Sequence, residues 1–338
     1  MFILDRLLDQ KGYVLADGAT GTNYFMLGLE TGYPPELWSL EKPEHVAGLH
    51  RRFIEAGSDM ILSNSFGGTR HRLKLHQSEH RVAELNEASA RLAKTEAKHH
   101  LETTGREVMV AGSMGPTGEL FVPLGALTHE EAVDAFTEQA MALAEGGVDM
   151  LWIETISSFD EIFAAIEGAK KTGLPVGATM TFDTAGKSMM GVDPSDFADQ
   201  VGQHDVLAVG ANCGIGPSEL MHAVMAMPQR DGVYRVAKGN CGIPEYVDGH
   251  IHYHGTPELM ADYAVLARDA GVEIIGGCCG TTPEHIKAMS LALEAAKERQ
   301  PVDADRLEKT LGKPWKNIEK PSGDNLSGET SRRRRRRG

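Results

Sequence analysis

The chain has 338 residues, 41% of them apolar and 24% charged, with a formal net charge of −14. That length and apolar content suit one large α/β barrel with additions, and no apolar run approaches the ~20 residues that a membrane span needs. Six of the basic residues are Arg332 to Arg337; without them 28 basic residues face 48 acidic ones, a balance of −20 that excludes nucleic-acid binding by the body of the chain.

The opening "MFILDRLLDQKGY" meets charge too early for a signal peptide and reads as a short amphipathic helix. One pattern then repeats: an extended apolar run, a glycine-rich or polar turn, and an amphipathic helix. "YVLADGATGT" (13–22) is followed, after an insertion containing "YPPELW", by "KPEHVAGLHRRFIEAGS". "MILSNSF" (60–66) precedes a helix over about 79–99, and "VMVAGSMGPTG" (108–118) precedes one over 129–146 whose start, "THEE", is a capping box. "MLWIET" (150–155) leads to "SSFDEIFAAIEGAKKTG", and "PVGATMTF" (175–182) to a helix near 195–203. "VLAVGANCG" (206–214) leads to "GPSELMHAVMAM", and "YRVAKGNCG" (234–242) to "TPELMADYAVLARDAG". The last unit is "VEIIGGCCG" (272–280) with "TPEHIKAMSLALEAAKE".

Eight β-then-α units imply a parallel sheet. Eight of them over about 280 residues fit a closed (β/α)8 TIM barrel better than an open doubly wound sheet. No G-x-G-x-x-G follows the first strand, which argues further against a dinucleotide fold. The expected division is a barrel over 1–299 and a polar tail over 300–338 that ends in the arginine run. The tail is expected to be ordered only where Leu307, Leu311 and Trp315 dock, and disordered beyond about residue 320.

In a barrel of this kind, chemistry sits at the carboxyl ends of the strands. All four cysteines fall there: Cys213 after the sixth strand, Cys241 after the seventh, Cys278 and Cys279 after the eighth. Neighbouring strands bring these sulfurs within reach of one another, and converging thiolates suit zinc in a reducing, cytoplasmic setting. Three thiolates leave one tetrahedral position open, and the Cys278–Cys279 doublet can serve one ion if Gly276, Gly277 and Gly280 permit a sharp turn. An ion so neutralised activates water poorly. It suits the deprotonation of an incoming thiol that must remain nucleophilic, which points to alkyl transfer onto sulfur.

"DGATGT", "WIET", "GANCG" and "GGCCGTTPEHI" together resemble the homocysteine S-methyltransferase family, over residues 12–296. That family includes betaine–homocysteine methyltransferase and the homocysteine module of cobalamin-dependent methionine synthase. The resemblance implies that Cys213, Cys278 and Cys279 hold Zn²⁺, that Asp17 and Glu154 hold the amino group of homocysteine, and that the backbone of Gly18 and Ala19 receives its carboxylate. A buried ammonium does need carboxylates, and a carboxylate does need free N–H groups. Cys241, in "GNCG", departs from the family pattern; Asn240 is the matching polar residue, and Cys241 is read as a small substitute, with a spare ligand as the alternative. "HIHYH" (250–254) is expected to be a solvated loop. "DGHIHY" misses the cobalamin-ligating D-x-H-x-x-G because Tyr253 replaces its glycine.

The implied reaction converts homocysteine to methionine. In betaine-using relatives tyrosines follow the second-strand phenylalanine and the fourth-strand glutamate; here Gly67 follows Phe66 and Thr155 follows Glu154. Trp38, Tyr246 and Tyr253 remain as candidate walls of an aromatic cage. Small residues in "NSFGGT" and "GSMGPTG" suggest room at the mouth for a bulky donor. The expectation is therefore methylcobalamin carried by a separate corrinoid protein, with direct use of betaine or a sulfonium compound as the alternative. A homocysteine-loading module idle without that partner is the competing class.

Overall fold

In the computed structural model residues 2–242, 244–247 and 250–314 are described, those over 244–252 as backbone only. Eight parallel strands form one sheet: β1 (Val14–Leu15), β2 (Met60–Leu62), β3 (Met109–Met114), β4 (Met150–Ile156), β5 (Val176–Met180), β6 (Ala208–Cys213), β7 (Tyr234–Gly239) and, after a hairpin of β8 (Pro244–Val247) and β9 (His250–Tyr253), β10 (Ile274–Gly277). The order runs β1-β10-β7-β6-β5-β4-β3-β2, and a bridge between Ala16 and Met60 joins the two ends into a (β/α)8 barrel.

Each strand is short and, apart from Thr155, Cys213, Tyr234 and Arg235, buried, as a parallel strand under helices must be. Alternation then sorts the side chains. Val14, Ala16, Met60, Leu62, Met109, Ala111, Met150, Trp152, Ala208, Val236 and Ile274 form one cluster inside the barrel. Leu15, Ile61, Val110, Leu151, Val209, Ala237 and Ile275 face the helices. Gly177 gives the Trp152 indole its place, since a Cβ there would lie 2.8 Å from the ring. The N-terminal helix Ile3–Lys11 adds Leu4, Leu7 and Leu8 to the inner cluster and so closes the amino end.

The helix starts are written in the sequence. Pro43, Pro194, Pro217, Pro257 and Pro283 open five of the outer helices, at the position where a missing N–H costs nothing. Thr128 and Glu131 form the expected reciprocal cap of helix His129–Glu145. The helix expected over 79–99 instead runs Val82–Thr104, to Gly105 at φ 75°.

Two regions differ from a plain barrel. "HIHYH", expected to be a solvated loop, supplies the second strand of an antiparallel hairpin in which Pro244 pairs Tyr253 and Val247 pairs His250. Two β-prone runs joined through Asp-Gly are a hairpin signal, which histidine content had obscured. In the tail, helix Ala304–Leu311 docks on the barrel through the fully buried Leu307 and the partly buried Leu311. Ser218 Oγ donates to Gly312 O at 2.6 Å, and Arg306 pairs with Asp269 at 2.7 Å. Trp315 and the arginine run lie outside the described residues. Among the described residues no helix is long and apolar enough to cross a membrane.

Candidate metal centre and substrate pocket

Two residues beyond the inner apolar layer, the same inward positions turn polar. Ala111 is followed by Ser113, Trp152 by Glu154, Gly177 by Thr179, Gly210 by Asn212, Val236 by Lys238 and Gly276 by Cys278. Ser113, Glu154, Thr179, Asn212 and Lys238 are all buried. The carboxyl end of the barrel thus holds a ring of polar side chains above an apolar floor.

Cys213, Cys278 and Cys279 meet at this end, their sulfurs all within 4.8 Å of one another and Cys213 Sγ 3.8 Å from Cys279 Sγ. Sulfurs tetrahedrally placed about zinc at about 2.3 Å lie about 3.8 Å apart, so the cluster has the size and softness to hold that ion. Cys213 turns inward from a left-handed backbone at φ 61°, a conformation that costs a non-glycine residue about 1–3 kcal/mol. Three thiols this close share their protons unequally. Hydrogen bonding to Cys278 and Cys279, then burial, holds Cys213 well above the ordinary thiol value. Bonds from Cys213 and Cys278 draw Cys279 down to about 3. Full ionisation of such a cluster requires a cation.

Two asparagines brace the turns. Asn240 Nδ2 donates to Gly214 O at 2.5 Å, and its Oδ1 accepts the Cys279 amide at 3.0 Å, which ties both cysteine-bearing turns to the end of β7. Asn212, fully buried, accepts from Thr155 N (2.9 Å) and Thr179 Oγ1 (2.7 Å) and donates to Thr155 Oγ1 (2.7 Å). Thr155 is thereby held at φ 64° directly after Glu154. Cys241 lies apart from the sulfur cluster. Its buried thiol donates to Gly255 O at 3.1 Å, and burial pushes it up to about 11.

Asp17 and Glu154 are buried in the same chamber. Asp17 Oδ2 accepts the Leu62 amide at 2.8 Å, and Asp17 Oδ1 is paired with Lys238 Nζ at 2.9 Å. Lys238 was absent from the sequence-derived site, although its place two residues after inward Val236 marks it as a lysine aimed into the barrel. Glu154 Oε1 accepts from Ser113 Oγ at 2.5 Å. Burial, only partly opposed by Lys238, pushes the Glu154 carboxyl up to about 7. Of the two amides expected to receive a carboxylate, that of Ala19 is given to Thr281 O at 3.1 Å. Gly18 fits closely against the same carbonyl, which a Cβ would approach to 2.6 Å.

Gly67 and Gly115 do not open space directly beside themselves. A Cβ on Gly67 would lie 2.8 Å from Glu36 Oε1, which already accepts the Gly67 amide at 2.6 Å; a Cβ on Gly115 would lie 2.6 Å from the Phe66 ring. Glu36 and Phe66 occupy the space beside these two glycines. Trp38 packs into the core, 5.4 Å from the Tyr24 ring and 5.3 Å from His45, with Lys42 Nζ 5.0 Å from its centroid. Tyr253 lies at the edge of the centre: its ring packs against Gly280, the residue after Cys279. The side chain of Tyr246 lies outside the described residues.

A family model described as homocysteine S-methyltransferase matches residues 14–293. Methionine synthase of Mycobacterium tuberculosis is 28% identical over 274 residues, 78% of this chain but 23% of that protein, so this chain spans about a quarter of the curated relative's length. The oxidised form of the homocysteine methyltransferase MmuM from Escherichia coli superposes with a TM-score of 0.73 at 25% identity, covering 85% of this chain and 98% of that one. Its metallated form gives 0.68 at 25% identity, covering 85% and 99%. With the match running from the first barrel strand past the cysteine doublet, the chain belongs to the homocysteine S-methyltransferase family.

Proposed function

We propose that this chain is a zinc-dependent enzyme that transfers a methyl group to the thiol of homocysteine, forming methionine. The observation that carries the reading is three sulfurs within 4.8 Å of one another beside the buried acids Asp17 and Glu154, at the carboxyl end of one barrel. Cys213, Cys278 and Cys279 would hold zinc, which supplies a cation that lets a thiol shed its proton near neutral pH. Asp17 and Glu154 give the chamber the negative charge that a substrate ammonium requires, and the Gly18 turn is where the substrate carboxylate would rest. The sulfur then forms its bond to the donor methyl as the bond from that methyl to the departing heteroatom breaks.

A small onium donor, betaine or a sulfonium compound, fits the mouth best. Glu36 and the Phe66 ring stand beside Gly67 and Gly115, so these two glycines lend no support to a bulky donor, and the Tyr253 ring packs against Gly280, next to Cys279, where a cationic methyl would approach. Methylcobalamin on a separate corrinoid protein is the second reading, favoured by the 28% identity to methionine synthase. The reduced thiols fit a cytoplasmic setting. Methionine formation by reduced, zinc-loaded protein with homocysteine and each donor in turn tests both. Turnover with an onium donor and no corrinoid is expected; turnover only with methylated corrinoid protein selects the second reading, and none with any donor overturns methyl transfer.

A further inference from the structure

Lys238 is paired with one of the two acids that the family resemblance assigns jointly to the substrate's amino group. It is 1% exposed, and a lysine so buried keeps its charge only through a partner. That partner is Asp17, with Nζ 2.9 Å from Oδ1 and 3.4 Å from the Asp17 carbonyl oxygen. The other Asp17 oxygen accepts the Leu62 amide at 2.8 Å, so both carboxylate oxygens already have a protein donor. Glu154 differs. Its Oε1 accepts from Ser113 Oγ, and its Oε2 accepts no hydrogen bond among the described residues.

The lysine's position is built into the barrel. Lys238 pairs in register with Gly276 on β10, and a Cβ at Gly276 would lie 3.2 Å from Lys238 Cγ and 2.8 Å from Ala16 Cβ. Glycine at 276 therefore lets the lysine stem cross the interior to Asp17. Burial opposes the Lys238 charge, but Asp17 and then Glu154 outweigh it.

We propose that Lys238 divides the labour of the two acids: it holds Asp17 in a closed ion pair and leaves Glu154 to receive the ammonium of homocysteine. With both acids ionised, as an ammonium at Glu154 would favour, two carboxylates and one lysine leave one negative charge to match it. An ammonium placed at Asp17 would instead meet the Lys238 ammonium at close range, where like charges repel. Lys238 and Asp17 act as positioning residues, and Glu154 makes the contact. The inference rests on the homocysteine reading above.

The test compares binding of homocysteine with binding of its desamino analogue, 4-mercaptobutyrate, to reduced, zinc-loaded protein by calorimetry. The ratio of the two affinities reads the ammonium contact alone. In Glu154→Gln this ratio is expected to fall by ~10-fold or more, the scale of a lost charge-assisted hydrogen bond. In the Asp17→Asn/Lys238→Met double variant both affinities fall together and the ratio stays within ~3-fold, because a buried pair removed whole leaves no orphaned charge. A ratio that collapses in the double variant, or survives in Glu154→Gln, overturns the assignment. A crystal structure of the unmodified protein with homocysteine decides independently of any variant. The substrate nitrogen is expected within ~3.2 Å of a Glu154 oxygen and outside hydrogen-bond range of Asp17; the reverse placement overturns the assignment. Failure of homocysteine to bind the unmodified protein at all overturns the functional reading and this inference with it.

Discussion

At the amino end of the barrel the inward positions are Val14, Met60, Met109, Met150, Ala208, Val236 and Ile274, plugged by Leu4, Leu7 and Leu8. Further along the same strands they become Ser113, Glu154, Thr179, Asn212, Lys238 and Cys278. One alternation therefore builds both ends, and a change of residue type separates a packed floor from a chemical chamber. The floor is stabilised by area removed from water. The chamber holds buried charges and left-handed residues, Thr155 and Cys213, which only their neighbours keep in place. Substitutions at the two ends should fail in different ways.

The largest effect belongs to the chamber. Cys213→Ala or Cys278→Ala should reduce zinc from about one ion per chain to below about a tenth and abolish methyl transfer, since each removes one of three soft ligands. Metal analysis of reduced protein checks this, and full zinc retention in either variant would remove that cysteine from the ligand set. At the floor, Trp152→Ala should cost ~3–5 kcal/mol of unfolding free energy while the protein that remains folded still binds zinc. Denaturant titration with metal analysis separates the two readouts.

The acids give the next effect, and its sign is opposite to that of an ordinary salt-bridged carboxylate. The Glu154 carboxyl is raised from 4.5 to about 7, so the folded protein holds its proton more tightly than the unfolded chain does. The resulting stability, up to ~3 kcal/mol, is fully present below pH 4.5 and is lost as pH rises through about 7. The difference in unfolding free energy between metal-free wild type and Glu154→Gln should follow that course, and a difference independent of pH between 4 and 8 would contradict it. Smallest of all is Cys241→Ala. Its thiol meets Gly255 O and not the cluster, so zinc content should hold and activity should change by less than about twofold, with a stability loss of ~1 kcal/mol.

What could be read from the sequence follows the same division. The repeated strand-turn-helix pattern predicted the barrel because period and length decide it locally. "GGCCG" and "GANCG" exposed the sulfur cluster because cysteines at the carboxyl ends of β6 and β10, with only β7 between them, have one place to meet. Lys238 escaped notice because it reads as one residue of a strand, and only its parity with Val236 reveals that it points inward. Gly67 and Gly115 are deceptive for a different reason. They look like open space until Glu36, 31 residues upstream, and the Phe66 ring are seen filling it. Contacts of that kind depend on side-chain volume brought from elsewhere in the chain, and no local pattern carries them.

X-ray absorption at the zinc edge of the reduced, metal-loaded protein, with and without homocysteine, tests the central claim most directly. The account predicts three protein sulfurs about the metal from Cys213, Cys278 and Cys279, and one further sulfur when homocysteine is added. An unchanged sulfur count on adding homocysteine, or a shell dominated by nitrogen and oxygen, would contradict it.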